Sequence, residues 1–273
     1  MTSQKSRTTG ASVALAWSHA ALFVVGMLLS SVAAAQASVS DSTFLDTNWT
    51  LTTFTSGNGG SVVAGQVASG GNPGAFRNVT DNLNAAPSGS QTIVLGASIY
   101  TPFTYAPATS GAIASLSYSE DAACTSGCFG NGQSTGPALL QNGNIYILSS
   151  STVITGPGTT FVNHSLSALT AADFGLVNVT TTAIFDNTQH PNFSATGAPI
   201  QFGFFRANGT GINGGGYSLA AGIDNWQIVI AAAAPPPPTS NPAASIPTLG
   251  EWQLLLLALG VLVLGARYLR ARS

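Results

Sequence analysis

Between Ser38 and Ser245, few side chains can ligate a metal, carry a proton near neutrality or form a disulfide. They are Asp41, Asp46, Asp81, Glu120, Asp121, Asp173, Asp186, Asp224, His164, His190, Cys124 and Cys128. Glu120 and Asp121 are the adjacent acids. Glycoside hydrolysis needs two carboxyl groups flanking one bond, whereas neighbours in sequence need not face one substrate. Beside Cys124, the two acids read as the polar flank of a loop. His164 and His190 show neither a zinc-ligand spacing nor a nucleophile elbow, and read as solvated loop residues. Calcium takes six to eight oxygens from carboxylates, amides and carbonyls. Asp46 with Asn48, Asp81 with Asn82 and Asn84, and Asp224 with Asn225 would supply such oxygens from loops, although Asp and Asn also make turns through bonds to their own backbone. Cys124-Thr125-Ser126-Gly127-Cys128 is the one cysteine pair. In an oxidising compartment a Cys124–Cys128 bridge would pin a tight local loop.

The elements that must position these groups read as strands. Thr47–Phe54, Gln91–Leu95, Ala112–Ser117, Asn144–Leu148, Ala183–Phe185, Ile200–Phe205 and Asn225–Ile230 are short β-branched or aromatic runs. Turn formers separate them, among them Ser56-Gly57-Asn58-Gly59-Gly60, Gly70-Gly71-Asn72-Pro73-Gly74 and the glycine-rich run 211–216. Ser165–Phe174, opening on a serine and carrying Leu166, Leu169 and Phe174, reads as the one helical turn. Many short strands joined by glycine-rich turns predict an all-β fold, a β-sandwich. Residues 38–230 are enough for one domain with a sizeable core.

Three pieces sharpen this to a jelly roll: Phe44-Leu45-Asp46-Thr47-Asn48-Trp49, Gly70-Gly71-Asn72-Pro73-Gly74 leading into Phe76-Arg77, and Gly222-Ile223-Asp224-Asn225-Trp226. Together they resemble extracellular lectin-like or carbohydrate-binding modules. The resemblance implies first and last strands lying together, and a structural calcium held by Asp224 with Asp41 or Asp46. It also implies a non-catalytic domain for matrix, adhesion or glycan binding. Trp49, Tyr100, Tyr105 and Tyr217 would serve as sugar platforms if exposed and as core if not. The alternative is an extracellular polysaccharide hydrolase, which needs two convergent acids in a groove.

Charge narrows the partners. From Ser38 to Ser245 the cations are Arg77 and Arg206 against eight acids, a net charge of −6 with no lysine. Nucleic-acid affinity rests on neutralising phosphates with Lys and Arg, so this composition argues against nucleic acid and against anionic lipid.

Both ends read as export signals. Lys5 and Arg7, the apolar stretch Ala20–Leu29, and Ala35-Gln36-Ala37 before Ser38 have the form of a signal peptide, residues 1–37, cut by signal peptidase after Ala37. Residues 231–245 form an Ala/Pro-rich linker whose prolines 235–238 favour an extended, stiff spacer. Residues 246–273 contain the uncharged run Gln253–Ala266. Its 14 residues would reach about 21 Å as a helix, short of the roughly 30 Å hydrocarbon core. It spans only with help from Trp252 and Tyr268 at the interfaces and from arginines that snorkel. Arg267, Arg270 and Arg272 follow the run while Glu251 precedes it, which leaves the C-terminus in the cytoplasm.

Ile246, Pro247, Thr248, Leu249, Glu251 and Trp252, followed by a leucine-rich span and terminal arginines, resemble the IPTL-CTERM sorting domain of Gram-negative surface proteins. Gly250 and Gln253 depart from the family pattern, in which Ser and Gly are common. The resemblance implies anchoring in the inner membrane and processing near the motif by an exosortase-like membrane transpeptidase. The domain would then pass to the cell surface or extracellular matrix.

Overall fold

The computed structural model describes residues 36–127, 132–150, 152–154, 160–234 and 251–270. The chain divides into two compact units, Met1–Pro235 and Pro236–Ser273. Within the first, two antiparallel sheets face each other. The six-stranded sheet has the order β10 (Val162–Leu169), β6 (Ile113–Ser126), β14 (Tyr217–Ala232), β4 (Gly74–Leu83) and β3 (Gly60–Gly71), with β1 (Gln36–Asp41) also against β14. The eight-stranded sheet has the order β12 (Phe185–Asp186), β11 (Phe174–Val177), β8 (Asn144–Leu148), β7 (Gln133–Gln141), β13 (Ile200–Gly209), β5 (Ile93–Tyr100) and β2 (Trp49–Ser56), with β9 (Thr152–Ile154) against β7. The chain crosses between sheets from β1 to β2, β2 to β3, β4 to β5, β5 to β6, β6 to β7, β9 to β10, β10 to β11 and β13 to β14, the jelly-roll-like winding expected.

β14 is the spine of the six-stranded sheet. Tyr217–Ile223 pairs with β4, and Trp226–Ala231 then pairs with β1, Asp41 opposite Trp226. β6 runs along its other side, with register shifts between Asp224 and Gln227. The first and last strands therefore lie together, as expected. The shift occurs where Asn225 takes φ 48°, a left-handed conformation that asparagine tolerates.

Alternation assigns the faces. Leu116 and Tyr118 of β6, Val79 of β4, and Ile228 and Ile230 of β14 pack in the core against Leu139, Ile147 and Phe204 of the other sheet. An aromatic knot closes one region of that core. Trp49 lies 5.0 Å from Trp226, 5.3 Å from Phe204 and 5.7 Å from Phe44, ring centre to ring centre. The opening and closing motifs singled out in the sequence thus meet each other inside the domain. Each such ring removes a large apolar area from water, roughly 1.5–3 kcal/mol of stabilisation per side chain.

Ser165–Phe174 differs from expectation. It continues as strand β10 to Leu169, turns through Ala171–Asp173, and enters β11 at Phe174. The leucines that suggested a helical stripe serve the sandwich instead. Leu166 and Leu169 sit opposite Tyr118 and Leu116 across a register shift. The turn is closed by a reciprocal Thr170–Asp173 capping box.

The second unit contains a helix, Glu251–Arg270, whose Leu254–Leu257, Leu259, Val261–Leu264 and Tyr268 side chains are exposed. Among the described residues no helix is long and apolar enough to cross a membrane. Here Glu251 and Arg267 bound the uncharged run within the helix and keep it short. Ala35, Ile246, Pro247, Thr248, Leu249 and Arg272 lie outside the described residues.

Candidate functional site

The outward face of the six-stranded sheet carries the densest polar cluster. At its centre, register sets Asn163 of β10 beside Asp121 of β6, and Asp121 beside Asp224 of β14. Two carboxylates directly opposite one another repel, and a ring of amides offsets this. Asp121 Oδ2 accepts from Asn225 Nδ2 at 2.7 Å and Asn72 Nδ2 at 3.1 Å, and Oδ1 accepts from Asn163 Nδ2 at 2.9 Å. Asp224 Oδ2 accepts the Asn72 backbone N–H at 2.5 Å, and its Oδ1 accepts that of Asn225 at 2.7 Å. Burial alone would raise the Asp121 carboxyl. The bonds from Asn225, Asn163 and Asn72, with His164 nearby, outweigh it and hold the group below its ordinary range.

Local sequence explains how Asn72 arrives. The β3–β4 hairpin turns through Gly71-Asn72-Pro73-Gly74, with a cis peptide before Pro73, and Gly74 has φ 91°. A Cβ on Gly71 would stand 2.5 Å from Asp224 Oδ2, so only glycine lets the hairpin close onto the carboxylate.

Hollows flank the cluster along β14. One, of about 260 Å³, is lined by Ser117, Tyr118, Ser119, Ser165, Leu166, Ser167, Gln227 and Val229. The other, of about 380 Å³, is lined by Asn78, Thr80, Thr125, Ser126 and Ser218. Between them Phe76 and Phe161 meet edge to face at 5.5 Å over Gly222, where a Cβ would lie 2.8 Å from Phe76. From Ser218 to Val229 the face extends roughly 35 Å at about 3.3 Å per residue. Hydroxyls and amides along such a length offer hydrogen bonds to a polyhydroxylated chain, while Asp121 and Asp224 are buried beneath them and already accept from protein donors.

Among the described residues the sandwich presents no Lys or Arg to solvent. Arg77 is buried against Asp46 at 2.6 Å, and Arg206 is fully buried against Glu120 at 3.1 Å. Glu120 also accepts Thr135 Oγ1 at 2.8 Å and the Tyr118 hydroxyl. Glu120 and Asp121 thus face opposite sides of one strand and cannot act on one substrate. Among the described residues, the carboxyl pushed above its ordinary range is Asp81, which is sealed in the interior and not on this face. A glycosidase's general acid needs a raised carboxyl at the cleft.

The other expected site residues are dispersed. Asp41 Oδ1 accepts the N–H groups of Thr43 and Phe44 and the Thr43 hydroxyl, and Oδ2 accepts Trp49 Nε1 at 2.9 Å. Asp46 holds Arg77 and the Gln66 N–H. Asp41, Asp46 and Asp224 are therefore engaged by separate protein donors. Among the described residues no group of three or more His, Cys, Asp or Glu could hold a metal ion. Cys124 is disulfide-bonded, and Cys128 lies outside the described residues. Trp49 and Tyr105 are core residues rather than sugar platforms. Tyr100 is half-buried against Trp226, and the Tyr217 hydroxyl is tied to Asn208 at 2.7 Å. His190 is exposed, its Nδ1 2.7 Å from the Phe174 carbonyl oxygen.

Asn225 was read only as an oxygen donor beside Asp224, and Asn72 and Asn163 escaped the sequence reading because asparagine is common in the turns of this chain. The one signal was the Gly70-Gly71-Asn72-Pro73-Gly74 turn, whose constrained geometry sets Asn72 over the sheet.

No protein-family model matches the chain, and comparison with curated proteins finds no match. Among solved structures, the chain is similar to the family 11 carbohydrate-binding module from Clostridium thermocellum, in complex with a β-1,3-1,4-mixed-linked tetrasaccharide. Identity is 13%, covering 74% of this chain and 98% of that one, with a TM-score of 0.39. It is also similar to the CBM22-1 xylan-binding domain of Xyn10C from Paenibacillus barcinonensis, at 11% identity over 74% and 98% of the two chains, with a TM-score of 0.37. Likenesses of this size do not define a family for the chain.

Proposed function

We propose that the chain is an exported bacterial surface protein whose sandwich is a non-catalytic module binding neutral glycan through the outward face of the six-stranded sheet. One observation carries the reading: Asp121 and Asp224, locked by three asparagines, lie between two hydroxyl- and amide-lined hollows on one face. Hydroxyl groups of a sugar chain can exchange hydrogen bonds with the serine, threonine, asparagine and glutamine side chains of the hollows, at a small ordering cost because the buried Asp121–Asp224 cluster fixes the strands that carry them. Neutral polymers are favoured, since a face with acids and no exposed Lys or Arg repels uronate or sulfated chains.

Catalysis is the weaker alternative. Asp121 is held ionised, and Glu120 is committed to Arg206.

The ends supply the delivery. Signal peptidase would cut after Ala37, which removes the first two residues of β1, Gln36 and Ala37 opposite Ala231 and Ile230, and leaves Ser38–Asp41 to pair with β14. The Glu251–Arg270 helix would serve as a short anchor in the inner membrane, its length made up by the interfacial Trp252, Tyr268 and the following arginines. An exosortase-like transpeptidase would then process the Ile246–Trp252 motif. A structural calcium, if bound through Asp41, Asp46 or Asp224, would have to displace the protein donors those acids now hold.

The test is retention of the protein on insoluble neutral polysaccharides, with calcium and then with chelator, for the wild type and for Gln227→Ala and Ser119→Arg. Binding lost in both variants supports the reading. Binding unchanged in both moves the site off this face, and loss on chelation alone makes calcium its organiser.

A further inference from the structure

Away from the outward face, Asp81 of β4 and Gln133 of β7 touch across the interior, one from each sheet. Gln133 Nε2 donates to Asp81 Oδ2 at 2.7 Å, and neither residue is exposed to solvent. The second polar atom of each group, Asp81 Oδ1 and Gln133 Oε1, has no hydrogen-bond partner. With Asp81 ionised, these would be two bare acceptors on one contact, sealed from water, which burial penalises heavily.

We propose that Asp81 carries a proton in the folded protein and forms a two-bond acid–amide pair with Gln133, Oδ1–H donating to Oε1 while Nε2–H donates to Oδ2. One bound proton then latches the six-stranded sheet to the eight-stranded sheet.

The charge count of the interior supports the latch. Arg206 is the buried cation of this region, and Glu120 takes its Nη1 at 3.1 Å. Its free donors, Nε and Nη2, reach no oxygen of Asp81. One cation therefore serves two acids, and the second acid is left without a counter-charge. Burial pushes the Asp81 carboxyl up to about 7, against the smaller opposing pulls of the Gln133 bond and Arg206. The other groups bearing on Asp81 are neutral or already committed. Tyr217 of β14 feels its charge and bonds Asn208, and Tyr118 of β6 bonds Glu120. β3 and β5, which also pack near β4, bring no charged side chain.

The latch has a place in the fold. β4 bears Asn78 and Thr80 on its outward side, so the proton steadies a strand beneath the hydroxyl-lined face. The sign follows from linkage. The folded protein keeps the proton up to about pH 7, whereas the unfolded chain releases it near the ordinary value of 3.8. Stability from this group is greatest in acid and falls as pH rises between those values, then levels.

Asp81→Asn tests the proposal, because an amide there offers Gln133 both hydrogen bonds without titrating. Urea unfolding of the full chain is followed across about pH 5 to 8.5. Relative to Asp81→Asn, the wild-type unfolding constant is expected to rise by up to about tenfold per pH unit until near pH 7, and then to level. Parallel curves for the two proteins overturn the latch. Infrared difference spectra of the wild type give a second readout that survives poor folding of the variant. A protonated-carboxyl band present near pH 6 and lost near pH 8.5 supports the latch, and its absence at both overturns it.

Discussion

Glu120 and Asp121, adjacent in the chain, lie on opposite faces of the same strand. Glu120 is fully buried and binds Arg206 across the sandwich, while Asp121 gathers the amides of Asn72, Asn163 and Asn225 on the outer side. One acid holds the two sheets together, and the other organises the surface. The period-two geometry of a strand divides the two roles.

The buried pair predicts a large asymmetry. Glu120→Ala leaves the Arg206 charge buried without its carboxylate, and is expected to cost about 3–5 kcal/mol. Glu120→Gln with Arg206→Met removes both charges and is expected to cost much less. Urea unfolding of the three proteins checks this, and equal losses for both variants would contradict it.

Acid should weaken the domain partly through Asp121. Its folded carboxyl lies below the ordinary value of 3.8, since burial is outweighed by its amide bonds. The stability it contributes is present above that value and is lost as pH falls through the folded one. Asp121→Asn should therefore lower stability near pH 7 and flatten the unfolding curve below about pH 4, where the wild type has already lost this contribution. An unchanged acid limb would count against the amide ring as drawn.

Gly222 lies under the Phe76–Phe161 pair, and a Cβ there would stand 2.8 Å from one ring and 3.1 Å from the other. Gly222→Val is expected to cost about 1–3 kcal/mol through overpacking. It should also disturb the face between the hollows. Thermal unfolding reads the first effect and polysaccharide retention the second, while a neutral result in both would show that the aromatic pair yields freely.

Processing at the two ends is expected to leave a mature protein that begins at Ser38 and lacks Arg270 and Arg272. Intact mass spectrometry from the native host measures this. Finding the terminal arginines on most molecules would replace release with stable retention by the helix.

The sandwich was legible where side chains are bulky. Ile200–Phe205 and Asn144–Leu148 stand in strands as read, because β-branched and aromatic residues fill the core at alternate positions. β3 was missed, since Gly60–Gly71 is mostly glycine, alanine and serine, which have weak strand propensity and outweigh its valines. It is ordered by pairing with β4 rather than by its own residues. The first half of β14, Tyr217–Asp224, was missed for the same reason. At the site, Asp224 was legible as an acid but its surroundings were not. Asn72, Asn163 and Asn225 come from separate parts of the chain, and only the sheet register and the hairpin bring them to Asp121. The Asp81–Gln133 contact was equally hidden, because no local pattern marks two polar residues that meet across a core.

The most direct test of the glycan-binding face is retention on a neutral insoluble polysaccharide beside the same polymer carrying carboxylate groups. The wild type should be held by the neutral polymer and weakly by the carboxylated one, and Gln227→Ala and Ser119→Arg should abolish retention on the neutral form. Equal retention of the wild type and both variants, or preference for the carboxylated polymer, would contradict it.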